Sequence, residues 1–595
     1  MLFHDSHDTA YRKPLGAIAA GDTLTIRFQC DESENVTLRV WDGAEHKTIM
    51  HSTSEHMFEA TITVPQVPSL IWYDFIIHRP GGDARYGTSH DQLGGIGSFY
   101  YGQPQSYQVT VYDPAYKTPE FLHHGIVYQI FPDRFMRDKN GMKGRVRKIA
   151  AAHPDATFHE EWNEAPTLDI DPDNSDNRAL DFFGGTLRGI KQKLGYLKDM
   201  GVSVIYLNPV FRSRTNHRYD TGNYEEIDPI VGDQAAYDEL IAAAKKQGIR
   251  IMMDGVFSHT GADSKYFNLF ERYDNLGACQ GPSSPYYDWY HFDEFPDRYD
   301  TWWGFYTLPA VNKDHPSYRS YLLNPDTGVL PRWVKKGACG WRLDVADELP
   351  MNLLREMRTS IKGADEQSVL LGEVWEDASN KIAYGKQRCY CLGDTLDSVM
   401  NYPLRRGVID FFNGVIDANQ LRRIILHQQE VYPTPFYYSL MNLLGSHDRV
   451  RILNAMAGYD QDGIIQMDRE EAAKIKLGKR ELKTAKKRYV EAVKLLCALP
   501  GAPTLYYGDE IGMTGMADPW NRAPMNWDDP DEKLHDDIAQ LLTRRKHHHV
   551  LQTGYLSVEA PTEDTLVIKR YAEDGKDVFG EELSDKDMTI KVSRK

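Results

Sequence analysis

Eight short, nearly unbroken apolar runs recur between residues 125 and 508: Gly125–Phe131, Val202–Leu207, Ile249–Asp254, Gly340–Asp344, Val369–Glu373, Ser398–Tyr402, Tyr438–Leu444 and Thr504–Gly508. A strand that is apolar at nearly every position, rather than at every second one, is buried on both faces. Helical segments lie between the runs, Ala235–Gln247 and Lys486–Leu499 among them. Eight such strands alternating with helices predict an α/β fold, a parallel (β/α)8 barrel whose functional groups gather at the C-terminal ends of the strands.

Before residue 120 the pattern is different. Thr23–Phe28, Val36–Trp41, Ala60–Val64 and Trp72–Ile77 alternate apolar and polar residues, with turn residues roughly every ten positions. Period-2 patterning of this kind predicts a β-sandwich. The stretch 112–119, with Pro114 and Pro119, reads as the linker leaving it. The expected organisation is an N-terminal sandwich over 1–118, a barrel over 119–550 and a short C-terminal β-segment over 551–595. Two insertions interrupt the barrel. One, over 136–177, is rich in Asp, Asn, Pro and Lys. The other, over 260–336, is dense in aromatics such as Tyr286, Trp289, Trp302 and Trp303, and a small subdomain over the barrel mouth is expected there. His547-His548-His549 reads as a helix end.

A net charge of −17 argues against nucleic acid or an anionic membrane as partner. No run of about 18 apolar residues is present that would span a bilayer. The N-terminal residues lack the basic-then-apolar order of a secretory signal, so a cytoplasmic location is expected. Six scattered cysteines form neither a disulfide framework nor a zinc pattern, and free thiols are expected.

Three of the apolar runs lead into carboxylates. Asp344 ends Gly340-Trp341-Arg342-Leu343-Asp344, Glu373 lies in Gly372-Glu373-Val374-Trp375, and Asp448 follows Gly445-Ser446-His447. A lone acid after a strand is usually a cap or turn residue. Three, each beside an Arg, Trp or His, suit an active site at the ends of barrel strands, because a charge is costly within the strand core. With Tyr128–Phe135 and Asp254-Gly255-Val256-Phe257-Ser258-His259 they make five motifs in order over about 320 residues. In this the chain resembles the α-amylase family of glycoside hydrolases, in its neopullulanase, cyclomaltodextrinase and amylopullulanase-like branch. The opening His4-Asp5-Ser6-His7-Asp8 to Pro14–Ala17 resembles the starch-binding N-terminal module of that branch.

The resemblance implies a retaining mechanism on α-1,4-glucosidic bonds of maltooligosaccharides, cyclodextrins, pullulan or starch, with α-1,6 bonds as a second target. Asp344 would be the nucleophile. Glu373 would be the acid and then the base, which requires a raised proton affinity, and Asp448 would hold sugar hydroxyls more tightly in the transition state. Arg342 would keep Asp344 ionised. His259, His447 and His217 would contact the sugar, Asp254 would support the site, and Tyr219 would stack beneath the sugar ring. An α-glucanotransferase with the same acids and a non-catalytic glucan-binding protein are the alternatives. Relatives with this N-terminal module also suggest a homodimer.

The sequence departs from the family pattern at several points. No cofactor is required, and calcium in the barrel is disfavoured: Ser258 stands where relatives have Asn, Thr186 where they have Asp, and Arg137-Asp138-Lys139-Asn140 where they offer several carboxylates and amides. Asp5 and Asp8 are a reservation, as acids able to hold an ion in the module. Arg449-Val450-Arg451 replaces Thr-Glu-Arg, and Leu308–Asn312 replaces a segment that varies with specificity.

Overall fold

The computed structural model describes residues 2–31, 35–54, 56–138, 154–171, 177–460 and 467–595. Its centre is an eight-stranded parallel sheet of Val127–Ile130, Val204–Leu207, Arg250–Gly255, Ala338–Leu343, Val369–Gly372, Ser398–Val399, Met441–Leu443 and Ala502–Tyr506. The first strand pairs with both the second and the eighth, and the remaining strands follow in sequence order. The sixth and seventh close the barrel through the parallel bridge between Met400 and Met441 and the hydrogen bond from Asn401 N–H to the Met441 carbonyl. All eight apolar runs become barrel strands.

Their lack of alternation follows from double burial. Val204 and Tyr206 point inward with Val127, Met252, Leu371, Met441 and Leu443, while Ile205 and Leu207 face outward against the helices. At Gly340 the fourth strand needs the smallest residue. Its φ is +137°, and an added Cβ would lie 2.0 Å from the Val369 carbonyl oxygen of the neighbouring strand.

The N-terminal strands form two antiparallel-rich sheets around a core of their own, which includes Phe28, Leu38, Phe75 and Tyr107. Thr23–Cys30 alternates buried and accessible residues as a half-buried strand must. Polar contacts seat this module on the barrel helix Ala418–Val431. Arg12 and His7 both reach the buried Glu430, at 2.5 and 2.9 Å, and Arg423 binds Asp91. Asp5 and Asp8 are occupied locally, accepting from the His7 and Ala10 N–H groups. The linker is docked, with the buried Tyr116 hydroxyl donating to the Leu396 carbonyl.

Residues 260–336 contain two short hairpins, Phe292–Glu294 with Arg298–Tyr299 and Thr301–Trp302 with Phe305–Pro309. The helices Pro316–Leu323 and Val329–Lys335 follow and bury Tyr318, Leu322 and Trp333 against the barrel. At the C-terminal end Tyr555–Thr562, Thr565–Tyr571 and Met588–Ser593 form a three-stranded antiparallel sheet. Its Leu566, Ile568 and Ile590 join the barrel's outer core. His547 ends the helix Glu532–His547. All six cysteines are unpaired, and no helix among the described residues is long and apolar enough to cross a membrane.

Candidate active site

The third, fourth and fifth strands deliver Asp254, Arg342, Asp344 and Glu373 to one end of the barrel. One guanidinium ties them together. Arg342, 1% exposed in its side chain, donates through Nη1 to Asp254 (2.9 Å) and Asp344 (3.1 Å), and its Nη2 lies 2.7 Å from Glu373. Arg342 and Asp344 are two residues apart and so share a face of the strand. Because both carboxyl groups touch the same planar group, Asp344 and Glu373 are held as near neighbours.

Glu373 has further donors. Val345 N–H binds its Oε2 at 2.8 Å and Trp375 Nε1–H its Oε1 at 3.0 Å. Val345 is β-branched yet has φ of +32°, a strained backbone immediately after Asp344 that aims this N–H across the cleft. Trp375 in turn stacks on Tyr402, with ring centres 4.0 Å apart and planes 7° from parallel.

Opposite these acids lies a polar chain built on Asp254. The Tyr206 and Tyr219 hydroxyls donate to its Oδ2 at 2.6 and 2.8 Å. The Tyr219 hydroxyl also meets His447 Nε2 at 2.7 Å, and the two rings lie parallel with centres 5.3 Å apart. Gln129 Nε2 reaches His447 Nδ1 at 2.9 Å, which assigns the ring proton to Nε2. Asp448 Oδ1 lies 3.2 Å from the same Nε2. Asp448 Oδ2 is sheltered and without a hydrogen-bond partner.

Three carboxylates on one guanidinium, with Asp448 close by, cannot all ionise easily. Burial, then the Glu373 charge, drives Asp344 well above the usual carboxylate range. The same two causes push Asp448 up to about 7, and burial raises Asp254 despite Arg342. Burial, reinforced by the Arg522 charge, keeps His217 and His447 neutral, and burial pushes His259 down to about 3.

All nine residues singled out in the sequence are placed within this network or on its rim. Asp344, Glu373, Asp254, Arg342, Tyr219, His447 and Asp448 are linked directly. His217 accepts the Tyr219 N–H at Nδ1, so it shapes the turn carrying Tyr219. His259 is more committed to the protein than expected. Its Nε2 meets the Tyr219 carbonyl at 3.1 Å, its Nδ1 meets Ser258 Oγ at 3.2 Å, and its ring leans on Trp302.

Sequence reasoning overlooked Tyr206, Arg522 and the role of Trp375. Tyr206 was legible from strand periodicity. Arg522 belongs to the loop after the eighth strand, where it donates to the His447 carbonyl at 3.1 Å and pairs with Asp518 at 3.0 Å. No local pattern marks it. Arg449 reaches the rim over Trp375, whereas Arg451 turns into the core between Tyr506 and Tyr507.

Among the described residues, the oxygens beside the first strand are engaged by the protein's own donors. Asp133 accepts from Arg134 Nε and from the N–H groups of Phe183 and Gly184. Asp181 binds Arg134 and Asn216. Thr186 caps the helix Leu187–Gln192. Lys139 and Asn140 lie outside the described residues.

Comparison with known proteins identifies the family. Residues 129–550 match the family described as alpha amylase, catalytic domain. The amylopullulanase of Thermoanaerobacter thermohydrosulfuricus is 34% identical over all of this chain, which spans 42% of that protein. The chain covers less than half the length of this and two other amylopullulanases that it matches. A cyclomaltodextrinase of Geobacillus thermopakistaniensis is 32% identical over 81% of this chain and 72% of its own. Among solved structures, the cyclic alpha-maltosyl-(1→6)-maltose hydrolase of Arthrobacter globiformis superposes with a TM-score of 0.63 at 30% identity. That match covers 77% of this chain and 90% of that one. The chain belongs to the α-amylase family.

Proposed function

We propose that this protein is a retaining glycoside hydrolase that cleaves α-1,4-glucosidic bonds, and α-1,6 bonds in suitable contexts, in maltooligosaccharides, cyclic glucans or pullulan. One observation carries the reading: Arg342 holds Asp344 and Glu373 side by side, as the close pair of carboxyl groups used in retention (about 5 to 5.5 Å apart) requires.

Asp344 attacks the anomeric carbon while Glu373 protonates the leaving oxygen. Glu373 then takes a proton from water as the glycosyl-enzyme is hydrolysed. Burial and the neighbouring Glu373 charge raise the proton affinity of Asp344, so attack requires Asp344 to be ionised while the proton resides on Glu373. A glycosidic oxygen accepting from Glu373 favours that state, and Arg342 balances whichever partner is charged. Asp448, with its free Oδ2, binds ring hydroxyls as positive charge develops on the sugar. Tyr219, stacked on His447, presents the flat ring that a sugar's CH face packs on.

The names of the relatives support glucan substrates with mixed linkages, but they belong to longer or differently built proteins. We propose further that no calcium or other cofactor is needed. Six unpaired cysteines favour a reducing, cytoplasmic setting. The deciding experiment is chromatography of products from maltotriose, β-cyclodextrin, pullulan and soluble starch, with the product anomer followed by NMR. Inversion at the anomeric carbon, or no turnover of any of the four, overturns the reading. Products longer than the substrate select the transferase alternative.

A further inference from the structure

We propose that Arg137 is a built-in cation, a guanidinium that takes the place of a metal ion in the first loop of the barrel and positions the floor of the cleft. Three backbone carbonyls from two separate segments converge on it. Nε donates to the Phe183 carbonyl at 2.6 Å, Nη1 to Glu160 at 2.7 Å and Nη2 to His159 at 2.5 Å. Every guanidinium nitrogen is used, and Trp162 lies against the plane with the carbon 5.3 Å from the ring centre. Converging carbonyl oxygens are what a hard cation such as calcium collects. Here a positive charge fixed to the chain fills the position.

The consequence reaches the cleft by short steps. The clamped segment 157–160 is stitched to 180–183 by the parallel pairing of Thr157–Phe158 with Asp181–Phe182. Asp181 receives two hydrogen bonds from Asn216 Nδ2, at 2.9 and 2.7 Å. Asn216 begins the turn that carries His217 and Tyr219, and Tyr219 completes the Asp254 and His447 network. Arg137 is thus a positioning residue that acts through Asp181 and Asn216. A metal ion in this role would be lost to chelators, whereas a guanidinium is not.

The test uses the full chain as wild type, Arg137→Met, which keeps the stem against Trp162, and Arg137→Ala. Wild type should keep its Tm within about 3 °C in excess EDTA, and R137M should melt about 5 to 10 °C lower. Millimolar guanidinium should restore part of the R137A loss, and calcium should not. Far below Tm, R137A should raise KM for maltotriose about tenfold while kcat changes less than about threefold, the split expected when binding geometry is lost and the acids are intact. R137M melting within about 2 °C of wild type would overturn the proposal. So would a wild-type loss above about 10 °C in EDTA that calcium reverses, or an unchanged KM in R137A. The KM arm rests on the glucan-hydrolase reading and the melting arms do not, so failure of one is distinguishable from failure of the other.

Discussion

Arg342 is the residue on which the cleft's charge balance turns, and the acids around it respond differently to substitution. Asp344→Asn keeps shape and hydrogen-bonding capacity while removing the attacking charge, so kcat should fall at least about a thousandfold. Its Tm at pH 8 should hold or rise, because a carboxyl driven well above its usual range by burial is a cost to the folded state once the pH is high. A variant keeping a tenth of wild-type kcat would remove Asp344 from its proposed role. Trp375→Phe retains the stack on Tyr402 but deletes the donor to Glu373, and kcat should drop about tenfold with Tm little changed. Asp448 sets a pH limit. It is pushed up to about 7 and serves only when charged, so kcat/KM should fall as the pH drops below about 7. The charges that face Asp448 are those of Glu373, Arg342, Arg522 and Asp254, with the neutral His447 beside it, so the profile reports the cluster rather than one isolated acid. A flat kcat/KM from pH 5 to 7 would contradict this.

At the scale of elements, the helix Ala418–Val431 is where the two folding units meet. Glu430 is buried between Arg12 and His7, and Arg12 chiefly holds its carboxyl down at about 2 against the cost of burial. A depressed pKa gives stability that is complete above the unfolded value near 4.5 and fades as the pH falls from there towards 2. Glu430→Ala would strand the buried Arg12 and should cost about 3 kcal/mol or more, read as a Tm lower by at least about 6 °C. The gap should narrow below about pH 4, where wild type loses the same interaction. A gap independent of pH would mean that packing, not charge, holds the module. This joint was not legible in the chain, because Arg12 and Glu430 are far apart in sequence and no local period links them. The barrel was legible because double burial writes itself as unbroken apolar runs, and the acids because they stand at the ends of such runs. Arg522 and the tie between His259 and the Tyr219 carbonyl depend on loops whose paths only the fold decides. The motif His4–Asp8 was read as resembling part of a starch-binding module, with Asp5 and Asp8 as acids able to hold an ion. In the structure His4 is buried against Tyr73 and Arg27, and His7 reaches Glu430.

For the molecule as a whole, the arrangement of the N-terminal module bears on oligomeric state. Its His7, Arg12 and Asp91 side is spent on the chain's own barrel. The edge strands Glu45–Ile49 and His51–Ser54 are exposed at every position, and Ile49 adds accessible apolar surface. Exposed edge strands with apolar neighbours are surfaces that proteins cover or protect. We therefore predict a homodimer in which this surface meets a second copy. Light scattering at micromolar concentration should give a mass twice 68.1 kDa. Ile49→Lys should shift the protein towards monomer without lowering Tm, since its side chain lies outside the module's core. If the partner's module borders the cleft, the monomeric variant should gain rate on soluble starch relative to β-cyclodextrin, because a narrowed entrance penalises the polymer more than the small ring. Wild type running as a clean 68.1 kDa species would defeat the dimer. A monomeric variant with an unchanged ratio of starch to cyclodextrin rates would leave the dimer standing and remove its part in substrate choice.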